Sequence, residues 1–199
     1  MTALIQGSPA WFALRKTKIT ATDASIILRL SPWKTPQQLW EEKLFKNDEE
    51  QENEKMKEGK HLEEIARDKF NMNTGMQMQP DVIFHKEYSW MMASLDGIDA
   101  TKSHILEIKC GNKAFQFARK GIIPNYYYAQ VQHQIACADL DKAYYFNFFD
   151  FQEILMEIPR DDVFIENMIE EEQRFYNCMM QKEPPESFEN DFLKEFSRR

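Results

Sequence analysis

Asp96, Glu107 and Lys109 are the residues whose types and spacing best suit chemistry. They stand in Ser94-Leu95-Asp96-Gly97-Ile98-Asp99 and in Leu106-Glu107-Ile108-Lys109-Cys110. The pattern reads as a turn carrying an acid, then a strand carrying an acid and a lysine two residues apart. Strand side chains alternate between faces, so Glu107 and Lys109 share one face, roughly 7 Å apart along the strand. Leu106 and Ile108 then point the other way, into a core. Two carboxylates and a cation on one polar face make a site for a divalent metal ion, and hydrolysis of a phosphodiester needs such a site. Glu-x-Lys is also an ordinary solvated strand face, so the rest of the chain has to separate the two readings.

Three other segments bear on the choice. Glu63 lies in Gly59-Lys60-His61-Leu62-Glu63-Glu64-Ile65-Ala66-Arg67. On a helix it either pairs with Arg67 at i,i+4 or supplies a third acid to a metal site. Hard cations such as Mg²⁺ take oxygen ligands, and few protein carboxylates suffice because water and phosphate complete the shell. Gln130 lies in Tyr126-Tyr127-Tyr128-Ala129-Gln130-Val131-Gln132-His133-Gln134. One helical face carries Tyr126, Gln130 and either Gln134 or His133. Gln130 could orient the lysine or a water, or could simply belong to a polar helix face. The segment from Trp11 to Thr22 contains Arg15 and ends at a helix start. Helix N-termini offer free N–H groups to phosphate, and the planar fork of Arg suits the same ligand. The plainer alternative is that Thr22 caps the helix and Arg15 is solvated. His61, His85, His104 and His133 have no ligand spacing and receive no role.

The elements that must position these groups follow from periodicity and punctuation. Helices are expected over 22–28, 37–46, 54–70, 125–138 and 161–181, with a helical turn at 114–119. Strands are expected over 82–85, 89–94, 97–100, 104–109, 143–149 and 153–158, the last two as a hairpin. Residues 47–53 form a polar loop, and Pro184-Pro185 breaks the chain before a short charged tail helix. Phe164, Met168, Phe175 and Met179 line the apolar side of the 161–181 helix and read as core. Helices, then strands with a helical crossover, then a closing helix indicate an α/β fold with a mixed sheet.

The bulk numbers fit one folded domain. The chain has 199 residues, 43% hydrophobic and 13% aromatic, enough for a sizeable core. There is no apolar run of membrane-spanning length and no signal-peptide pattern. Cys110, Cys137 and Cys178 are too scattered for a zinc or iron–sulfur site, which suggests a reducing, cytoplasmic setting. Net charge is −8, but 13 acids and 6 bases fall in residues 151–199, leaving the first 150 residues near neutral. That balance argues against a broad basic surface for nucleic acid and favours confined, metal-assisted contact.

Six motifs in order carry a resemblance. They are Trp11…Leu14-Arg15…Ile19-Thr20-Ala21-Thr22, Leu30-Ser31-Pro32-Trp33-Lys34-Thr35-Pro36, Gly59…Leu62-Glu63…Ala66-Arg67, Ser94-Leu95-Asp96-Gly97, Leu106-Glu107-Ile108-Lys109-Cys110 and Tyr128-Ala129-Gln130-Val131-Gln132. From Trp11 to about Asp150 the chain resembles the lambda-exonuclease-like, YqaJ-type viral recombinase family. The resemblance implies a restriction-endonuclease-like PD-(D/E)XK core, with a mixed central β-sheet flanked by helices. It implies one domain over 1–199, with the nuclease core at about 11–158 and a C-terminal helix and tail at 159–199.

The same resemblance implies roles. Asp96, Glu107 and the Ile108 backbone carbonyl would bind Mg²⁺, with Mn²⁺ as a substitute, and Glu63 would be an auxiliary acid. Lys109 would position or activate the attacking water and stabilise developing charge, supported by Gln130. Arg15, Thr22 and Ser94 would form a pocket for the 5′-phosphate of a DNA end. A further basic residue is implied just after the Glu-x-Lys strand. Phe115 fills the ungapped position, and Lys113 is the nominee. The implied activity is 5′→3′ degradation of linear double-stranded DNA, leaving 3′ overhangs for phage or prophage recombination in a bacterial host. The implied partners are double-stranded DNA ends, a single-strand annealing protein and further copies in a trimeric ring. A structure- or site-specific endonuclease on the same fold, or a DNA-binding recombination protein without turnover, are the competing expectations.

Overall fold

The computed structural model describes residues 4–45, 54–186 and 195–196. The expected loop at 47–53 lies outside the described residues, and so does the expected tail helix apart from residues 195–196. The elements in chain order are α1 (Pro9–Thr17), β1 (Ile19–Thr20), α2 (Ala21–Ile27), α3 (Pro36–Phe45), α4 (Glu54–Thr74), β2 (Gln79–Phe84), β3 (Met91–Ile98), β4 (Ile105–Cys110), α5 (Asn112–Ala118), α6 (Asn125–Ala138), β5 (Lys142–Phe149), β6 (Gln152–Pro159) and α7 (Asp162–Gln181).

The sheet is mixed, with order β1-β3-β4-β5-β6 and β2 also paired to β3. β1 runs parallel to β3 and β4 parallel to β5, while β2–β3, β3–β4 and β5–β6 are antiparallel. The parallel β4–β5 step needs a crossover, and α5 and α6 supply it. Alternation along β4 divides two cores. Leu106 and Ile108 join Ala66 and Phe70 of α4, Met78, Phe146 and Phe148 on one side. The opposite side is packed by α2, α6 and α7, including Phe164, Met168, Phe175 and Met179, all four buried.

Several boundaries differ from the sequence expectation for identifiable reasons. Asp96 is not in a turn. The two strands expected at 89–94 and 97–100 are one strand, β3, and Asp96-Gly97 runs through it. Asp-Gly is a common turn dipeptide, but here packing requires the glycine. A Cβ on Gly97 would lie 2.8 Å from the Met78 Cβ and 3.2 Å from the Leu106 Cβ. α1 is a helix the sequence reading did not expect: Ser8 caps it through the Trp11 N–H and Pro9 occupies its first turn, where a missing N–H does no harm. The cap of α2 is Thr20 rather than Thr22. Asp23 reaches back to the Thr20 N–H at 2.8 Å and takes its hydroxyl at 2.7 Å. Among the described residues no helix is long and apolar enough to cross a membrane.

Candidate active site

The antiparallel β3–β4 ladder pairs Gly97 with Leu106 and Ile98 with Ile105, and goes no further. Beyond that point the strands part, and the side chains of Asp96 and Glu107 stand at the opening. Asp96 bridges the gap: its Oδ2 accepts the Ile108 N–H at 2.8 Å. Arg67 of α4 holds the same strand from the other side, donating to the Asp96 carbonyl at 3.0 Å. This is the use the fold makes of Arg67, rather than an ion pair with Glu63.

Glu107 is 2% exposed, so its charge must be compensated by specific donors. Lys109 Nζ donates to Oε1 at 2.5 Å and Gln130 Nε2 donates to the same oxygen at 2.7 Å. Gln134 Nε2 donates to Oε2. Gln130 also takes a hydrogen bond from Lys109 through its Oε1, at 3.1 Å, which fixes its amide orientation. Lys109 Nζ lies 4.4 Å from the centre of the Tyr127 ring, a cation–π contact. Glu107 and Lys109 therefore form no solvated strand face: α6 closes over them with Tyr127, Gln130 and Gln134.

The titration behaviour reflects crowded charge. Burial pushes the Asp96 carboxyl well above its ordinary value, and the Glu107 and Glu63 carboxylates push it further. Burial also raises Glu63, with Glu107 adding to it, although Lys109 and Arg67 pull the other way. For Lys109, burial disfavours the ammonium, but Glu107 and Asp96 outweigh it and the pKa is raised. The Cys110 thiol at the strand end is pushed up to about 12 by burial and by Glu63 and Asp96, so it is no nucleophile at neutral pH.

Asp96, Glu107, Ile108, Lys109, Gln130, Glu63, Arg15, Thr22 and Ser94 line one cavity of about 200 Å³, together with Ala21. Lys113 is exposed on α5 and is not among the lining residues. The Arg15 side of the cavity is an ordered network. Arg15 stacks over Trp11 at 4.4 Å and donates to the Thr22 hydroxyl at 3.2 Å. The Trp11 indole N–H donates to Ser94 Oγ at 2.9 Å.

Two groups to which the sequence assigned no definite role hold this arrangement. Lys43 of α3 donates to the carbonyls of Arg15 and Lys18, both at 2.9 Å, and pairs with buried Asp23 at 2.8 Å. A lone lysine on an amphipathic helix carries no signal of this. Gln134 stands one helical turn beyond Gln130, and that i,i+4 spacing is the signal that could have fixed its role. His133 is the alternative on that face, and the fold sends it elsewhere. It is buried between Glu172, at 2.8 Å from Nδ1, and the Met92 carbonyl, at 3.0 Å from Nε2.

The donor set fits a hard divalent cation in one respect and limits it in another. Asp96 Oδ1 has no hydrogen-bond partner among the described residues and belongs to a cavity lined by three carboxylates. A carboxylate accepts about four hydrogen bonds, and the three donors on Glu107 leave capacity for a cation. Among the described residues, however, no three His, Cys, Asp or Glu side chains converge as a ready-made cage. Such a set suits an ion that keeps water or substrate phosphate in much of its shell, as Mg²⁺ does.

Residues 10–141 match the family described as the YqaJ-like viral recombinase domain. The chain belongs to the YqaJ-like viral recombinase family. It is 31% identical over 175 residues to the uncharacterized protein YqaJ of Bacillus subtilis (strain 168), a match covering 84% of this chain and 54% of that protein. The chain thus spans about half the length of this curated relative. Among solved structures it is similar to an alkaline exonuclease from Laribacter hongkongensis, with TM-score 0.77, 23% identity, and 96% and 97% of the two chains covered. The same exonuclease in complex with dAMP gives a TM-score of 0.76. A phage-related exonuclease from Haemophilus somnus 129PT gives 0.58 at 15% identity, over 83% of this chain and 96% of that one. At these identities the likeness is one of fold: the mixed sheet flanked by helices is the architecture of these exonucleases.

Proposed function

We propose that this family member is a metal-dependent deoxyribonuclease that degrades linear double-stranded DNA from 5′ ends, leaving 3′ overhangs for recombination of the phage or prophage type. The observation that carries the reading is the meeting of Asp96, Glu107, Lys109, Glu63 and Gln130 with Arg15, Thr22 and Ser94 around one cavity. The names of the structural relatives point the same way.

In this reading Asp96, Glu107 and the Ile108 carbonyl are the groups that would hold Mg²⁺ or Mn²⁺, with Glu63 as the auxiliary acid. A bound cation of this kind supplies Lewis-acid polarisation of the phosphate and a more acidic water. Lys109 positions or activates the attacking water and stabilises negative charge that develops on the phosphate. Gln130 and Gln134 keep Glu107 aimed, and Tyr127 covers Lys109. Arg15, Thr22 and Ser94 take the terminal 5′-phosphate, with Trp11 and Lys43 holding Arg15 and its backbone in place. Lys113, which stands outside the cavity lining, is proposed as the further basic residue for that phosphate. Residues 11–158 act as the nuclease core, inside a bacterial host cell, and a trimeric ring with a single-strand annealing partner belongs to the same reading.

The test is digestion with Mg²⁺ of three substrates: a 5′-phosphorylated linear duplex, the same duplex with 5′-hydroxyl ends, and a covalently closed circle. Preferential loss of the phosphorylated linear DNA supports the proposal. Cutting of the circle replaces the exonuclease with an endonuclease, and no cutting at all removes the enzymatic reading.

A further inference from the structure

The chain has four tryptophans, and three are held by hydrogen bonds. The indole N–H groups of Trp11, Trp40 and Trp90 donate to Ser94 Oγ, the Cys178 carbonyl and Gln173 Oε1. Trp33 differs. It is 66% exposed, and its indole N–H has no acceptor among the described residues. It stands between Pro32 and Pro36 in the segment that leads into α3, where the two prolines restrict the backbone on either side. Leaving a large aromatic ring in water forgoes its burial energy, which makes the exposed indole an informative exception.

Its one ring contact among the described residues leads to the cavity. Trp33 meets Tyr126 edge-on with ring centres 4.9 Å apart. Tyr126 meets Tyr127 at 4.5 Å, and the Tyr127 ring lies 4.4 Å from Lys109 Nζ. Three successive contacts therefore join the exposed indole to the lysine of the candidate active site. The groove beside Trp33, about 450 Å³, is lined by Lys34, Gln38, Glu41, Glu42 and Phe45. Lys34 is paired with Glu42 and Glu41 adds a second carboxylate, so this groove offers ring faces and a slight surplus of negative charge. Such a surface suits a nucleobase rather than a phosphate.

We propose that Trp33, backed by Tyr126, is a stacking platform for a nucleobase of the DNA strand being cut, next to the nucleotide whose phosphate enters the cavity. This rests on the nuclease reading above and deepens it by assigning a base-contacting group. Stacking on an aromatic ring does not depend on base identity, so the platform would hold any sequence. The backbone would still be positioned by the cavity, and Trp33 would limit how far the adjacent base can swing.

The experiment uses duplexes carrying 2-aminopurine at each of the first four positions from the 5′ end, mixed with the full chain in EDTA, and the same duplexes digested in Mg²⁺. Stacking quenches 2-aminopurine. The expected result is strong quenching at one or two adjacent positions, lost in Trp33→Ala and largely kept in Trp33→Phe. Affinity should fall about tenfold in the alanine variant, with melting temperature unchanged because the ring is exposed. If the wild type digests the DNA but quenching and affinity are the same in Trp33→Ala, the platform is wrong and the nuclease reading stands. If the phenylalanine variant behaves like the alanine variant, ring stacking is likewise wrong. If the wild type neither quenches nor digests, the nuclease reading falls and the platform with it.

Discussion

The Asp96 carboxylate accepts the backbone N–H of Ile108 at 2.8 Å, at the point where β3 and β4 stop pairing through their backbones. One oxygen of Asp96 thus replaces a ladder hydrogen bond, and the other is left toward the cavity. The relationship couples strand geometry to the site: whatever moves β3 against β4 moves a proposed metal ligand.

Gly97 is the most direct way to move it. A methyl at this position meets Met78 Cβ at 2.8 Å and Leu106 Cβ at 3.2 Å, and neither atom lies at the flexible end of a side chain. Gly97→Ala should destabilise the fold by about 1–3 kcal/mol through overpacking, and should lower nuclease activity more than the loss of folded protein accounts for. Urea melts beside single-turnover digestion check this; a variant with wild-type stability and rate contradicts it.

Lys109→Ala should reduce turnover by roughly 10²–10⁴-fold, the usual range for such a group, while leaving Mn²⁺ binding largely in place. Calorimetric titration of Mn²⁺ beside a digestion time course separates the two. Normal turnover in this variant would remove Lys109 from the mechanism.

Gln134 has a role that activity alone would not reveal. Its amide donates to Glu107 Oε2, and it is 1% exposed. Groups that orient a metal-ligating carboxylate typically contribute 10–100-fold in affinity. Gln134→Leu should weaken Mn²⁺ binding by about that factor, and Gln134→Glu should not rescue it, because it places a second carboxylate against the first. Unchanged affinity in Gln134→Leu contradicts the assignment.

The Asp23–Lys43 pair makes stability depend on pH. Burial pushes the Asp23 carboxyl up, but Lys43 and Arg15 outweigh it and hold it below the ordinary 3.8. A folded pKa below the unfolded one stabilises the fold fully above the unfolded value and loses that contribution as pH falls through the folded value. Asp23→Asn leaves a buried ammonium without its counter-charge, at a cost of about 3–5 kcal/mol near neutrality. The gap to the wild type should be constant from pH 7 to pH 5 and should narrow below about 4. Denaturant melts across that range decide it; a gap that persists undiminished at pH 3 contradicts the pair's charge state.

The sequence made some of this legible and not the rest, for physical reasons. Alternation in Leu106-Glu107-Ile108-Lys109 separates core from site correctly because a strand period is fixed by the backbone. The 3.6-residue period of α7 places Phe164, Met168, Phe175 and Met179 in the core for the same kind of reason. Asp96-Gly97 misleads, since the local preference for a turn yields to the packing of Met78 and Leu106 on the glycine. Thr22 and Thr20 compete for one cap, and the position of Asp23 three residues after Thr20 decides it. Lys43 is invisible in the sequence, because its partners at 15, 18 and 23 meet it only when α3 docks. On α6 the helical period brings Gln134 and His133 near one face but cannot divide them; β4 takes the first, and α7 with β3 takes the second.

The central claim is that the cavity between β3, β4 and α6 hydrolyses DNA through Asp96, Glu107 and Lys109. Its most direct test is the initial rate of loss of a 5′-phosphorylated linear duplex in Mg²⁺, comparing the wild type with Asp96→Asn, which keeps an oxygen for the Ile108 N–H and removes the charge. The account predicts rapid digestion by the wild type and almost none by a variant that melts at a similar temperature. Equal rates for the two proteins would contradict it.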